Sequence, residues 1–417
     1  MVVKSKLTHL HVHTHEGSLL DSILRVEDAV KWAKENNHSA MALTEHGTMH
    51  SFVNFWKECK KNDIKPIMGC EVYEVEDLDF AMKVKHSTES PKPKIKRNHL
   101  VLLVKNEIGL KNLFKIVSVS HTDFKYTKPL IDLKYIKDNN LGEGIIALTA
   151  CLAGRLPRYL EEGKEDEAKI YFNQLEETFD CAYAEIQSHN CEDQINANKR
   201  IVDFSNKYNK KYVITTDAHM LEKKDVVPHS IFIAVNQNRD TGEFYDDCYL
   251  QTETDVINTM SPSMGIKEIE IGMKNTKEIE DMINFVDIGM DNPLQMPKIG
   301  HPSEFNSLDE YYIHLVNKGF DRVHNNLITD DERQIRMDRL FKEEKPVLDY
   351  LGYIDYFVML YMLRQEFEKR NIPINYGRGS GGNSLSLYYL GVTQVDSVKW
   401  DLDFSRFANK GRKSVAD

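Results

Sequence analysis

Apolar residues in the first half of this chain recur in two alternating rhythms. Short strand-like runs at 7–14, 40–44, 66–73, 100–104, 145–149, 182–187 and 212–216 read as strands. Between several of them the spacing changes to i, i+3, i+4, i+7. Val26, Ala29, Val30 and Ala33 form one such stripe, and Phe52, Phe55, Trp56 and Cys59 another. Leu110, Leu113, Phe114 and Val117 form a third, and Ala168, Tyr171, Phe172 and Leu175 a fourth. That spacing predicts helices with one buried face. Alternating strands and helices predict a parallel sheet with helices outside it. Seven such strands suffice to close an α/β barrel, whose functional groups come from the C-terminal strand ends. The lysine- and proline-bearing stretch 83–96 interrupts the rhythm and reads first as a solvated loop. Its sharper reading is a basic lip over a site at the barrel mouth. Beyond about Asp287 strands thin out and helices dominate through Lys369; a short apolar segment, 372–376, then enters a glycine loop.

Composition narrows the classes. The chain has 417 residues, enough for two domains or more, and its 41% hydrophobic and 29% charged fractions are ordinary for a globular protein. No apolar run is long enough to cross a bilayer, and no secretory leader is visible, so a cytoplasmic location is expected. The six cysteines lack framework spacing and read as reduced thiols. A net charge of −11 argues against broad adhesion to nucleic acid but leaves room for a local basic channel.

The chemistry lies near the strand ends. His11 and His13 are two apart, so on a strand both imidazoles face one spot. Asp217 and His219 repeat that arrangement, and Asp21, His46, Glu71, His99 and Cys151 each fall in or after a strand-like run. Mixed imidazole and carboxylate ligands suit zinc, manganese or iron. These nine side chains are too many for one ion and enough for three, with Glu71 or Asp217 able to bridge. Alone, Asp21 reads as a turn residue and Cys151 as an inert buried thiol. His9 shares the strand face of His11 and His13 but sits too far along it, and reads as structural. His15, His50, His121, His189 and His229 read as surface or supporting residues.

Taken together, HLHVHT, SLLD, ALTEHG, GCEVY, RNHLVLLVKN, ALTACLAG, AEIQSH and TTDAH resemble the polymerase-and-histidinol-phosphatase (PHP) domain. In this order they resemble the N-terminal part of the bacterial replicative DNA polymerase III alpha family. LQMPKIG, LGYIDYFVML, INYGRGSGGNSLSLYYLGVTQVD and FSRFANKGRKSVAD resemble the start of that family's palm domain. The resemblance implies a distorted (β/α)7 barrel over 1–287, with a helical C-terminal extension, followed by an incomplete α+β palm domain over 288–417. It implies a trinuclear metal site on the nine residues above and a metal-dependent 3′→5′ proofreading exonuclease, in which bound metal activates water against the 3′-terminal phosphodiester of a mispaired primer. No separate general base is identifiable. Arg378, Gly379 and Ser380 then match residues that contact the triphosphate of an incoming nucleotide, where glycine N–H groups and a following helix N-terminus suit phosphate.

The match departs at Glu45, where the family has Asp, at Asn383, which replaces a glycine, and at Val415-Ala416, which replace Met-Pro. Asp417 matches the first catalytic palm aspartate. Two-metal nucleotidyl transfer, with magnesium, needs further carboxylates, so these residues alone are not expected to polymerise DNA. A split gene, an intein junction or an artificial shortening accounts for such an end, with the first two favoured, and the sequence divergence fits a phage source. Expected partners are primer-template DNA, a deoxynucleoside triphosphate and the remaining polymerase segment, with a sliding clamp and other replisome proteins reached through that segment. The alternatives are a small-molecule phosphatase of the histidinol-phosphate type and a silent, metal-stabilised scaffold for the rest of a split polymerase.

Overall fold

A computed structural model of the chain describes residues 4–238, 246–289, 297–325, 327–377 and 379–411. It divides into two units, Met1–Ile288 and Gly289–Asp417. The first unit is built on β1 (Ala40–Leu43), β2 (Lys65–Glu74), β3 (Asn98–Val104), β4 (Lys125–Tyr126), β5 (Lys128–Ile131), β6 (Ile145–Leu148), β7 (Cys181–Gln187) and β8 (Tyr212–Thr215). The sheet runs β1-β2-β3-β6-β7-β8, and the β4–β5 hairpin adds to the end of β2 through Tyr73 and Glu74.

Two expectations for the sheet are corrected. Residues 7–14 do not form a strand. They make isolated bridges, His9 to Met41 on one side and Val12 to Ala218 on the other. The N–H of Val12 donates to the Thr44 hydroxyl (2.9 Å) rather than to a carbonyl, which breaks the ladder there. Leu10 faces one apolar cluster and Val12 another, so the strict alternation of a strand is lost. The segment nonetheless links the first and last staves, with Thr44 N–H donating to Val12 O (2.9 Å) and His13 N–H to Ala218 O (2.9 Å). The sheet is also not all parallel: β3 runs antiparallel to both β2 and β6.

The ring encloses a core. Leu10, Ala42, Ile67, Leu103, Ile146, Tyr183 and Val213, one from each stave, share a buried cluster with Ile279 and Ile283, from the end of the helix Ile266–Met282 and just past it. Outside the sheet, the stripes at 26–33 and 168–175 bury as expected. In the helix Glu107–Thr122 the buried face is Leu110, Leu113 and Ile116, while Phe114 is largely exposed and meets Phe52 edge-on. Lys83 and Lys85 lie in the helix Leu78–His86 rather than in a loop.

The second unit holds the helices Leu308–His324, Asp330–Asp338, Lys345–Leu351, Ile354–Lys369 and Leu385–Tyr389, with a π-helical turn at Arg339–Glu344. They pack around Tyr312, Phe320, Phe357 and Tyr389. The strands that a palm leads one to expect do not occur among its described residues. No helix among the described residues is long and apolar enough to cross a membrane.

Leu103 is fully buried in the ring's interior. Leu103→Ala is expected to lower unfolding free energy by about 2–5 kcal/mol. Chemical denaturation measures it, and a loss well under 1 kcal/mol contradicts a packed interior.

Candidate metal centre

The strand ends turn their side chains into one mouth. His46 follows β1, Glu71 lies in β2, Cys151 follows β6, and Asp217 and His219 follow β8. His99 starts β3; because β3 is antiparallel, its first residues pair with Tyr73 and Glu74 and reach the same end of the sheet. Ala150 and Asp217 adopt left-handed φ values of 59° and 46°, sharp reversals that non-glycine residues adopt at a cost.

Glu71 is the hub. Its Oε1 lies 2.9 Å from His99 Nδ1 and 3.4 Å from His11 Nε2; its Oε2 lies 2.5 Å from His46 Nδ1 and 3.7 Å from His13 Nε2. Asp217 Oδ1 sits 3.3 Å from both His11 Nε2 and His13 Nε2. Asp21 Oδ2 is 3.1 Å from His46 Nε2, and Cys151 Sγ is 3.6 Å from His99 Nδ1. The imidazole of His13 stacks at 4.0 Å on His46 and 4.4 Å on His219. All nine side chains singled out in the sequence therefore meet in one cluster; Asp21, His46, His99, Cys151, Asp217 and His219 line a cavity of about 180 Å³, with His11, His13 and Glu71 buried beside them.

Within it, three groups present ligand atoms close enough to share an ion: His11/His13/Asp217, His13/His46/His219 and His46/Glu71/His99. The donor set tests the fit. His11 Nε2, His13 Nε2, His46 Nδ1, both oxygens of Glu71 and Oδ1 of Asp217 and Asp21 are buried with no hydrogen bond of good geometry; most have only the charge contacts they make with one another. Burying so many bare polar atoms is costly, and a coordinated cation removes that cost. The residues fit divalent metal ions.

Supporting groups fix the tautomers. His11 Nδ1 lies 2.6 Å from Glu185 Oε1, which also accepts from the Thr215 hydroxyl (2.6 Å). His219 Nδ1 lies 2.7 Å from the Asp217 carbonyl. His13 Nδ1 lies 3.0 Å from Ser18 Oγ, and that hydroxyl donates to Glu45 Oε2 (2.6 Å). An N–H at each Nδ1 leaves Nε2 to face the cluster. Glu45 also accepts from Thr14 N–H (3.0 Å) and the Ser51 hydroxyl (2.6 Å), and its longer side chain fits because residue 17 is glycine: a Cβ there would meet Glu45 Cγ at 2.5 Å. Glu185 was missed by sequence reasoning; its signal is a lone acid in the apolar strand β7, two residues from Gln187. His229 is buried, lines the cavity and donates to the Asp21 carbonyl (2.6 Å), placing that loop. His9 lies elsewhere, between Trp32 and His38, with Nε2 3.1 Å from Gln251 O.

The charges follow from crowding. Burial works against the proton on His46, but the Glu71 and Asp21 carboxylates overrule it and raise the imidazole to about 10. Burial, then the imidazoles of His46 and His219, pushes His13 down to about 3. Burial acts to raise Glu71, yet His99, His46 and His11 hold it well below the usual carboxylate range.

In the second unit, Gly379 and Ser380 lie in the 3-10 turn Gly379–Asn383, and Gly379 has φ +75°. Arg378 and Asp417 lie outside the described residues. The helix start after the loop is not available to a phosphate, which corrects the reasoning from sequence. Glu344, fully buried, accepts from Leu385 N–H (2.7 Å), Ser386 N–H (3.0 Å) and the Ser384 hydroxyl (2.9 Å).

Comparison with known proteins is consistent with this geometry. Residues 9–189 match the PHP domain, and residues 310–417 match the bacterial DNA polymerase III alpha NTPase domain. The chain is similar to DNA polymerase III subunit alpha of Borreliella burgdorferi, 31% identical over 428 residues, covering 100% of this chain and 35% of that one. The same protein of Aquifex aeolicus is 31% identical over 419 residues, covering 98% and 35%. The chain thus spans about a third of the length of these relatives. Among solved structures, an amidohydrolase from Chromobacterium violaceum superposes with a TM-score of 0.32 at 12% identity, covering 51% of this chain and 87% of that one, too loosely to bear on function.

Two outcomes follow for the centre. Metal binding at pH 7 is expected to release protons, from His46 and His11, which neighbouring carboxylates keep protonated against burial, and from the Cys151 thiol, which burial pushes up. Calorimetry in buffers of different ionisation enthalpy measures it; a heat independent of buffer contradicts the assignment. Glu185→Gln is expected to weaken metal affinity by roughly 10–100-fold through His11, read by competition with a chromogenic chelator, and unchanged affinity removes Glu185 from the account.

Proposed function

We propose that this chain, a PHP domain joined to a DNA polymerase III alpha segment, is the N-terminal part of a replicative DNA polymerase whose barrel mouth is a metal-dependent phosphodiesterase acting on the 3′ end of a primer strand. The observation that carries the reading is the convergence of bare, buried ligand atoms from His11, His13, His46, Glu71 and Asp217 on one cavity. His11, His13, Asp21, His46, Glu71, His99, Cys151, Asp217 and His219 would hold up to three ions, zinc, manganese or iron. Bound ions in such a site activate water and neutralise charge on the phosphoryl and leaving oxygens.

The chain's own groups do the rest. Glu185, the Asp217 carbonyl and the Ser18–Glu45 pair hold His11, His219 and His13 with Nε2 inward. Asp21 sits on the open side of the cluster, more exposed than the other carboxylates, with its loop fixed by His229. It is the ligand placed to meet incoming substrate. In the second unit, Gly379 and Ser380, together with Arg378, would face a nucleotide triphosphate; Asp417 would be one of several carboxylates for magnesium once the remaining polymerase segment is supplied.

Incubation of the chain with manganese and a primer bearing a 3′ mismatch is expected to release deoxynucleoside monophosphates. His11→Ala, which removes a ligand outright, is expected to lower that rate by at least the roughly 10–100-fold that losing a ligand's partner costs. Retention of full activity in His11→Ala would place the activity in a contaminant. Phosphate release from histidinol phosphate with no attack on the primer would favour a small-molecule phosphatase. Absence of both, with melting lowered by chelation, would favour a metal-stabilised scaffold.

A further inference from the structure

One flank of the mouth carries cations that the ligand cluster does not use. It is formed by the end of β2, the start of β3 and the β4–β5 hairpin. Tyr73, buried, meets His99 edge-on at 5.3 Å and stacks toward His46 at 6.4 Å. Lys128 Nζ lies 5.0 Å from the centroid of the Tyr73 ring. Gly47, directly after His46, has φ +63°, and a Cβ there would come within 2.8 Å of Pro129 and 3.1 Å of Tyr73. That close packing holds Lys128 and Pro129 against the His46 loop. Arg97, two residues before His99, is exposed and donates to the Thr127 hydroxyl (2.6 Å), which ties it to the same hairpin. Tyr126, half-buried, has Lys92 Nζ 5.9 Å from its ring.

The ion pairs separate structural cations from unused ones. Lys96 is committed to Glu162 (2.7 Å). Arg97 and Lys128 make no carboxylate ion pair among the described residues, in a chain of net charge −11. Two cations without carboxylate partners and the half-buried ring of Tyr126 beside a phosphodiesterase mouth are the ingredients of a single-strand path: charge for the backbone, a ring face for a base.

We propose that Arg97 and Lys128 bind backbone phosphates of single-stranded DNA just upstream of the scissile bond, with Tyr126 as a stacking face, so that the 3′ end enters the cluster across the β4–β5 hairpin. This rests on reading the cluster as a phosphodiesterase. Arg97 and Lys128 are positioning residues; they hold the strand and leave the reaction to the cluster.

The test compares two substrates with manganese: bis(p-nitrophenyl) phosphate, which reaches only the cluster, and an oligodeoxynucleotide with a free 3′ end. For Arg97→Gln and Lys128→Gln, the ratio of oligonucleotide kcat/KM to diester kcat/KM is expected to fall several-fold, mainly through KM. The slope of log affinity against log salt, from fluorescence anisotropy of the oligonucleotide, is expected to shrink by about 0.7 for each. Lys96→Gln, whose charge is already paired, is expected to leave both unchanged. An unaltered ratio and salt slope in Arg97→Gln and Lys128→Gln overturns the proposal, as does an equal loss on both substrates. If the wild-type chain hydrolyses neither substrate, the phosphodiesterase reading fails by itself. Anisotropy still decides the path: reduced affinity and slope in the two variants support it, and unchanged binding overturns it.

Discussion

A single buried carboxylate organises the first unit. Glu71 lies in the middle of a sheet, almost wholly excluded from water, with four imidazoles drawn to its two oxygens. An isolated carboxylate at such depth is strongly unfavourable. Protons on the surrounding histidines offset it in part, and they do so only by leaving other nitrogens without partners. Divalent cations satisfy carboxylate and imidazoles together. Ions held there would couple the fold to their binding, because the contacts that suit a filled site are unfavourable in an empty one.

That constraint explains two irregularities of the barrel. A wholly parallel β3 would carry His99 to the far end of the sheet. Running it backward brings that imidazole beside Glu71. The first stave gives up regular pairing between His9 and His13, which lets Leu10 fill the interior while His11 and His13 turn to the mouth. Glu45 and Glu185 then act at one remove, anchoring His13 through Ser18 and His11 directly.

Much of this was legible in the chain. The apolar runs at 40–44, 66–73, 100–104, 145–149, 182–187 and 212–216 correspond to strands because continuous burial leaves a run that needs no knowledge of the partner. The direction of β3 and the hairpin β4–β5 were not legible, since apolar runs carry no orientation and the short strand at Lys125–Tyr126 is partly exposed. Phe114 was misplaced because its helix is apolar on more than one side and a stripe one position over fits nearly as well. The residues of the site stood out as side chains costly to bury, whereas Glu185 and Ser18 act through contacts that only the folded chain creates. The helix start after the glycine loop misled for a similar reason: Glu344, 40 residues before Ser384, supplies the anion that the motif alone leaves open.

The most direct measurement is metal content by mass spectrometry on the chain purified without chelator, alongside Glu71→Gln. The account predicts more than one equivalent of transition metal per wild-type chain and a loss of most of it in the variant. A wild-type chain that folds normally with no bound metal, before and after exposure to manganese or zinc, contradicts it.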